Sequence, residues 1–125
     1  MDSTVARVLL VLALLGVAGA AGAAARRFRP QHPPIDIAGL GLPAGITVFT
    51  STDCPRCKPV LASARASGVP VREVTYELEG DLQRRAGVIG VPLTVVVDRS
   101  GRVVAQLAGR VSARRLRRAA VGAGL

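Results

Sequence analysis

The chain has few of the residues on which several common classes of functional site depend. Its 125 residues include no tryptophan, one tyrosine, two phenylalanines, one histidine and two cysteines. Because so few aromatic side chains accompany the 17 lysines and arginines, no stacking platform for nucleic acid is visible, although the formal net charge is +9. Half of the residues are hydrophobic but only 2% are aromatic, so the core must be aliphatic. We expect one small domain that binds no nucleic acid.

The scarcity of cysteine and histidine excludes further classes of site. Two cysteines do not make a structural disulfide framework. A closed tetrahedral zinc site would lack one ligand even if His32 joined both cysteines. His32 lies among prolines, far from the cysteines in sequence, and is interpreted as a linker residue. We therefore expect no closed tetrahedral zinc site within this chain.

Both cysteines lie in one short motif, Cys54-Pro55-Arg56-Cys57. An apolar, β-branched run over residues 46–50 precedes it, and a helix-compatible stretch over residues 58–67 follows it. A Cys-x-x-Cys at a strand-to-helix junction is typical of a dithiol that closes into a disulfide and reopens, because the spacing places both sulfurs on one helical turn. The partial positive charge and free N–H groups of a helix N-terminus also favour a thiolate.

Charged residues around this motif are expected to tune its redox chemistry. Exchange requires a thiolate, and a free cysteine, with a pKa of about 8.5, is only slightly ionised at neutral pH. Arg56 and Lys58 favour ionisation of Cys54, Asp53 opposes it, and Pro55 is tolerated in the first turn of the helix. A stabilised thiolate makes the disulfide more oxidising. Arg56 is the main tuning candidate, and its alternative interpretation is a solvated surface arginine.

The beginning of the chain is apolar. Residues 8–25 carry no charge, and as a helix they would span about 27 Å, enough to cross the hydrocarbon core of a bilayer. Residues 1–25 are therefore interpreted as a single-pass transmembrane anchor or as a cleaved signal, in which case the protein is secreted. The anchor is favoured because Arg7 is the only basic side chain before the apolar run.

The side of the membrane is indicated in two opposite ways. Arg26, Arg27 and Arg29 follow the apolar run and outnumber Arg7 and the N-terminal amine. The positive-inside rule then predicts that the rest of the chain is cytoplasmic. The usual location of the family that this domain resembles favours the extracytoplasmic side.

The remainder of the chain is predicted to be a linker and one α/β domain. Residues 26–44 are rich in proline and glycine and are predicted to form a semi-rigid linker, with the domain over residues 45–125. The predicted order is β-α-β-α-β-β-α with a four-stranded mixed sheet. Strands are predicted over residues 46–50, 71–76, 93–98 and 102–107. Helices are predicted from Cys54 to 67, over 80–87 and over 113–121.

This order, with Cys-x-x-Cys after the first strand, resembles the thioredoxin fold in its smallest, glutaredoxin-sized form. Gly90-Val91-Pro92 resembles the cis-proline segment of the thioredoxin-like superfamily, and residues 97–104 resemble the hairpin that follows it. Gly109 lies where the family often has a glycine before its last helix. The resemblance covers residues 46–121.

The resemblance implies thiol–disulfide exchange. Cys54 would be the exposed nucleophile, and Cys57 would be the more buried residue that resolves the mixed disulfide. Pro92, in the cis form, would lie near the cysteines, and the backbone of Val91 would pair with a substrate strand.

The chain also departs from the family pattern. Asp53 stands where thioredoxins usually have a tryptophan, and Val48 stands where they have a buried acid. Proton transfer to Cys57 would then need water or Lys58. The Cys-Pro-x-Cys-Lys run is closer to glutaredoxins, yet no convincing glutathione-binding pair follows the third strand.

We expect a monomeric, membrane-tethered protein-disulfide oxidoreductase that takes part in cell redox homeostasis. Its partners would be protein disulfides and an upstream dithiol reductant or oxidant, with residues 8–25 in the membrane. One alternative is a glutaredoxin-like reductase that uses a low-molecular-weight thiol. Another is a non-catalytic thioredoxin-fold module that binds peptides or carries Cu(I) on its two thiolates.

Overall fold

The computed structural model describes residues 2–28 and 32–125. Helix α1, Ser3–Phe28, belongs to one compact unit, and the remainder of the chain forms a second. Within α1, the segment Ser3–Gly22 has a mean hydropathy of 2.2 and is long and apolar enough to span a membrane or to act as a signal sequence. The predicted hydrophobic N-terminal helix is thus confirmed.

The second unit is built on a four-stranded mixed sheet with the order β2-β1-β3-β4. The strands are β1 Gly45–Thr50, β2 Val71–Thr75, β3 Leu93–Val97 and β4 Val103–Ala108. The helices are α2 Cys57–Ala66, α3 Tyr76–Ala86 and α4 Ala113–Gly122. The predicted α/β class and the order β-α-β-α-β-β-α are confirmed.

The strand register decides which loops meet. β1 and β2 are parallel, with Thr50 opposite Thr75 at their carboxyl ends. β3 is antiparallel to both β1 and β4. Because parallel strands end at the same edge of a sheet, the segment that follows β1 and the segment that follows β2 lie side by side.

The core lies on both faces of the two central strands. All residues of β1 and β3 are buried, as expected for near-continuous apolar runs that are covered on both sides. On one face, Val48 packs in a cluster with Val60 of α2 and Leu116 of α4. On the other face, Phe49 packs in a second cluster with Ala86 of α3. α2 and α4 therefore cover one face of the sheet, and α3 covers the other.

Part of the predicted linker packs against the domain. Ile37 is 7% exposed and belongs to the same cluster as Phe49. The Asp36 N–H donates to the Ala86 carbonyl at 3.0 Å, and the Ile35 N–H donates to Gln106 Oε1 at 3.1 Å. The compact unit therefore includes residues before Gly45, since two isoleucines in this proline-rich stretch cover the apolar face. Met1 and residues 29–31, and with them the N-terminal amine and Arg29, lie outside the described residues.

Helix α3 begins earlier than predicted. It starts at Tyr76, directly after β2, and Glu79 interrupts it with non-helical backbone angles of φ −135° and ψ 41°. The predicted helix over residues 80–87 corresponds to the part after this kink. Gly87 ends the helix in the left-handed conformation at φ 87°, as expected for a glycine at this position.

Candidate active site

The two cysteines lie at the junction between β1 and α2. They form a disulfide, with their Cα atoms 5.4 Å apart. Cys57 is only 2% exposed, whereas Cys54 is half-buried. Cys54 is therefore the more accessible of the two cysteine residues.

Helix α2 begins at Cys57 and not at Cys54, so the predicted start is wrong. Pro59 explains the difference, because it has no N–H to donate to the carbonyl of Pro55 and so prevents a regular helix from starting at Cys54. Residues before Cys57 form turns instead, and the Cys57 N–H donates to the Cys54 carbonyl at 3.2 Å. Pro59 then falls in the first turn of α2, where a missing N–H leaves no intrahelical bond unmade.

The residues predicted to tune the pair surround it. Arg56 occupies the N-cap position of α2, where its side chain makes no capping hydrogen bond, and Lys58 lies in the first turn. Asp53, Pro55, Arg56 and Lys58 are all exposed. The structure thus places one carboxylate and two cations in the loop and helix turn that carry the cysteines.

A carboxylate from α3 holds the loop before Cys54. Glu77 Oε2 accepts a hydrogen bond from the Thr52 N–H at 3.0 Å. The Ser51 hydroxyl oxygen lies 2.7 Å from Glu77 Oε1 and 2.6 Å from Asp53 Oδ1, and its single proton serves one carboxylate at a time. The Ser51 hydroxyl, followed by the Thr52 N–H, holds the pKa of Glu77 below its ordinary value.

Glu77 is not among the site residues that are predicted from the sequence. The signal that finds its partners is the parallel register of β1 and β2. Because these strands end at the same edge, the residues just after each of them become neighbours. Ser51 and Thr52 follow β1, and Glu77 follows β2.

Gln83 of α3 also supports this edge. It is not among the site residues that are predicted from the sequence. It is 3% exposed, and its Nε2 donates to the Thr50 carbonyl and to the Val74 carbonyl, each at 2.9 Å. These two bonds fasten α3 to the ends of β1 and β2. The available signal in the sequence is a single polar side chain between Leu82 and Ala86 on the buried face of a helix.

The segment before β3 contains Val91 and Pro92, the two residues that are predicted to bind the substrate. The Val91–Pro92 peptide bond is cis, and the Pro92 carbonyl accepts a hydrogen bond from the Gly109 N–H at 3.2 Å. Pro92 is buried, whereas Val91 is partly exposed. The same segment is held on its other side by His32, whose Nε2 accepts from the Ile89 N–H at 3.1 Å. His32 is thus part of the domain and not of a free linker.

A cleft of about 440 Å³ opens beside the dithiol loop. It is lined by Pro55, Arg56 and Pro59 from the dithiol side and by Gly109 and Arg110 from the loop before α4. Arg110 has no distinguishing signal in the sequence beyond its place after Gly109. Over residues 2–28 and 32–125, no three His, Cys, Asp or Glu side chains come together as a metal site would require.

No protein-family model matches the chain, and no curated protein is significantly similar to it in sequence. Solved structures do resemble it. Thioredoxin 1 from Thermosipho africanus superposes with a TM-score of 0.52 at 15% identity, over 59% of this chain and 86% of that one. Chloroplastic thioredoxin z gives a TM-score of 0.59 at 15% identity, over 70% of this chain and 85% of that one.

A thio-disulfide isomerase from Thermus thermophilus gives a TM-score of 0.51 at 25% identity, over 77% of this chain and 97% of that one. These likenesses show that the domain has a thioredoxin-like fold. Together with the close Cys54–Cys57 pair, they support thiol–disulfide oxidoreductase chemistry in general.

Proposed function

We propose that this chain is a thiol–disulfide oxidoreductase that exchanges the disulfides of proteins through Cys54 and Cys57. The observation that supports it most directly is the unequal exposure of a bonded cysteine pair at the start of a helix. An accessible sulfur is able to meet a substrate, and a buried neighbour is able to complete the reaction. The helix N-terminus and the adjacent cations favour the thiolate that the reaction needs.

In the reducing direction, the reaction takes two steps. The Cys54 thiolate attacks one sulfur of the substrate disulfide, so that a mixed disulfide forms and the other substrate sulfur leaves as a thiolate. Cys57 then loses its proton to water or to a nearby base and attacks Cys54 Sγ, which releases the second substrate thiolate. The substrate gains two electrons and the protein dithiol becomes the Cys54–Cys57 disulfide. An external dithiol returns the electrons, and the oxidising direction is the same sequence reversed.

The remaining predicted site residues take supporting roles in this proposal. The backbone of Val91 offers an edge for an extended substrate segment, and Pro92 forms the wall of the site on that side. Asp53, Arg56 and Lys58 set the balance between thiol and thiolate. The apolar helix α1 tethers the domain to a membrane, and the domain acts as a monomer without metal or organic cofactor.

Reduction of insulin disulfides tests the proposal. The full-length chain in a nonionic detergent, supplied with a dithiol reductant, should accelerate the turbidity of reduced insulin well beyond the reductant alone. Cys54→Ser should abolish the acceleration. Cys57→Ser, reduced beforehand and then freed from the reductant, should form a mixed disulfide with insulin that is visible as a heavier band on a non-reducing gel. Equal turbidity with the wild type and with Cys54→Ser would sink the proposal.

A further inference from the structure

Two arginines flank the cleft beside the dithiol. Arg56 lies between the two cysteines in the chain, and Arg110 lies in the loop between β4 and α4. Both side chains are exposed, and both line the cleft of about 440 Å³ together with Pro55 and Pro59. A substrate that approaches Cys54 along this cleft therefore meets both arginines.

The backbone fixes Arg110 at this place. The preceding residue, Gly109, has a φ of 72°, in the left-handed region that glycine adopts without strain. Its N–H donates to the Pro92 carbonyl at 3.2 Å. The loop that presents Arg110 is thus bonded to the segment before β3.

Neither arginine is neutralised by a carboxylate of the described residues. The ion pairs found there involve Arg65, Arg72 and Arg84. The two carboxylates nearest to the cysteines in the loop network, those of Asp53 and Glu77, are within hydrogen-bond distance of the Ser51 hydroxyl. Two uncompensated cations that line one cleft attract negatively charged groups.

The cleft continues beyond the two arginines. A second cleft of about 320 Å³ shares Pro59 and Arg110 with the first and extends along Val60 and Val111. Its walls combine Pro59 and the largely buried Val60 and Val111 with two serines and one guanidinium. Two adjoining clefts with both apolar and basic walls suit an extended polypeptide segment better than a small ion.

We infer that Arg56 and Arg110 select protein disulfides that are flanked by acidic residues. The inference rests on the proposed function, since it concerns the substrate of the same dithiol. A guanidinium binds a carboxylate through charge-assisted hydrogen bonds, whereas an asparagine on the substrate offers only a neutral acceptor and a lysine offers none. The carboxylates of the substrate segment lie against Arg56 and Arg110 while its cysteine reaches Cys54.

The test uses the reduced full-length chain in a nonionic detergent and three synthetic peptides. Each peptide contains one intramolecular disulfide and is identical except for Asp, Asn or Lys at the positions that flank the cysteines. The rate constant for peptide reduction is measured in a single turnover, by acid quench and chromatography, at low and at high salt. Arg56→Gln and Arg110→Gln are compared with Arg85→Gln, which removes an exposed arginine of α3 on the opposite face of the sheet.

At low salt, the wild type should reduce the Asp peptide about tenfold faster than the Lys peptide, with the Asn peptide between them. This ratio should fall about threefold in each of Arg56→Gln and Arg110→Gln, as for the loss of one exposed ion pair. It should stay unchanged in Arg85→Gln and shrink at high salt. The measured quantity is the ratio of the Asp-peptide rate to the Lys-peptide rate. A general change in Cys54 reactivity alters all three rates together and therefore leaves this ratio unchanged.

Equal rates for the three peptides, or the same fall in Arg85→Gln as in Arg110→Gln, would overturn the inference and leave the proposed function intact. Faster reduction of glutathione disulfide than of the Asp peptide would overturn the assignment to a protein segment. If the wild type reduced none of these disulfides, the proposed function itself would fail, and the inference would fail with it.

Discussion

Glu77 connects the loop before Cys54 to a different helix. Its carboxylate accepts from the Thr52 N–H and lies within hydrogen-bond distance of the Ser51 hydroxyl. These bonds lower the pKa of Glu77. They favour the ionised form, so they stabilise the fold above the pKa that Glu77 has in the unfolded chain. The contribution is lost as the pH falls through the lowered pKa of the folded state.

We therefore expect Glu77→Gln to reduce the acid sensitivity of the fold. Between pH 7 and pH 3, the unfolding midpoint in urea should fall more for the wild type than for the variant, because only the wild type loses the ionised carboxylate as the pH falls through the lowered pKa of Glu77. Asp81→Asn is the control, since it removes an exposed carboxylate elsewhere on α3 that bonds to Arg84 and not to the loop. An identical pH dependence in the wild type and in Glu77→Gln would contradict this role.

Arg56 is the cation closest in sequence to both cysteines, and its charge should set the redox balance of the pair. We expect Arg56→Glu to make the dithiol more reducing by about 10–30 mV, because a less stabilised thiolate makes the reduced form less favourable. The measurement is the equilibrium with glutathione buffers, followed by thiol alkylation. Arg85→Glu carries the same change of charge on the opposite face and should leave the potential unchanged. An unaltered equilibrium in Arg56→Glu would assign this arginine to a solvated surface role.

At the scale of elements, β1 contains two threonine hydroxyls, of which one is hydrogen-bonded and the other is not. Thr47 is fully buried, and its hydroxyl has no hydrogen-bond partner among the described residues. Thr47→Val replaces the hydroxyl by a methyl group of similar shape, so it should stabilise the fold by about 1 kcal/mol in urea unfolding. Thr50→Val in the same strand should instead destabilise it, since the Thr50 hydroxyl donates to Glu73 Oε1 at 3.2 Å. A loss of stability in Thr47→Val would show that its hydroxyl is satisfied.

Local patterns predict most of these elements. β1 and β3 are near-continuous apolar runs interrupted only by threonine and glycine, and both are fully buried. α4 begins after Ser112, whose hydroxyl accepts from the Arg115 N–H as an N-cap should. In such places the residue types and their spacing carry the information, because the structure depends on near neighbours in the chain.

Contacts between distant parts of the chain explain what the patterns miss. Tyr76 is predicted to end a strand, yet it begins α3. The next residue, Glu77, binds the loop after β1. Ile37 is predicted to lie in a linker, but it packs in a buried cluster with Phe49. Arg110 joins Arg56 only because the loop before α4 folds back toward Pro92. The cysteine pair was predictable from one motif, whereas the walls of its site depend on the tertiary fold.

At the scale of the whole molecule, α1 is long and apolar enough to span a membrane or to act as a signal sequence. Its segment Ser3–Gly22 would span about 30 Å as a helix, which matches the hydrocarbon core of a bilayer. Leu12 lies near the middle of this segment. An arginine at the centre of such a helix costs about 2.5–3.5 kcal/mol on insertion scales, whereas a smaller apolar side chain costs far less.

If α1 is an uncleaved anchor, the full-length chain should sediment with membranes and resist extraction with alkaline carbonate. Leu12→Arg should move a large part of the chain into the soluble fraction, and Leu12→Ala should stay with the membranes. Intact-mass measurement completes the test, because a cleaved signal would leave a soluble protein that lacks the first residues. A wild-type chain of that reduced mass in the soluble fraction would contradict the anchor. Labelling of Cys54 in intact cells with a membrane-impermeant thiol reagent, after the Cys54–Cys57 disulfide is opened with a membrane-impermeant reductant, then distinguishes the two faces. Protection in intact cells with labelling after lysis is the result that the arginines after α1 predict.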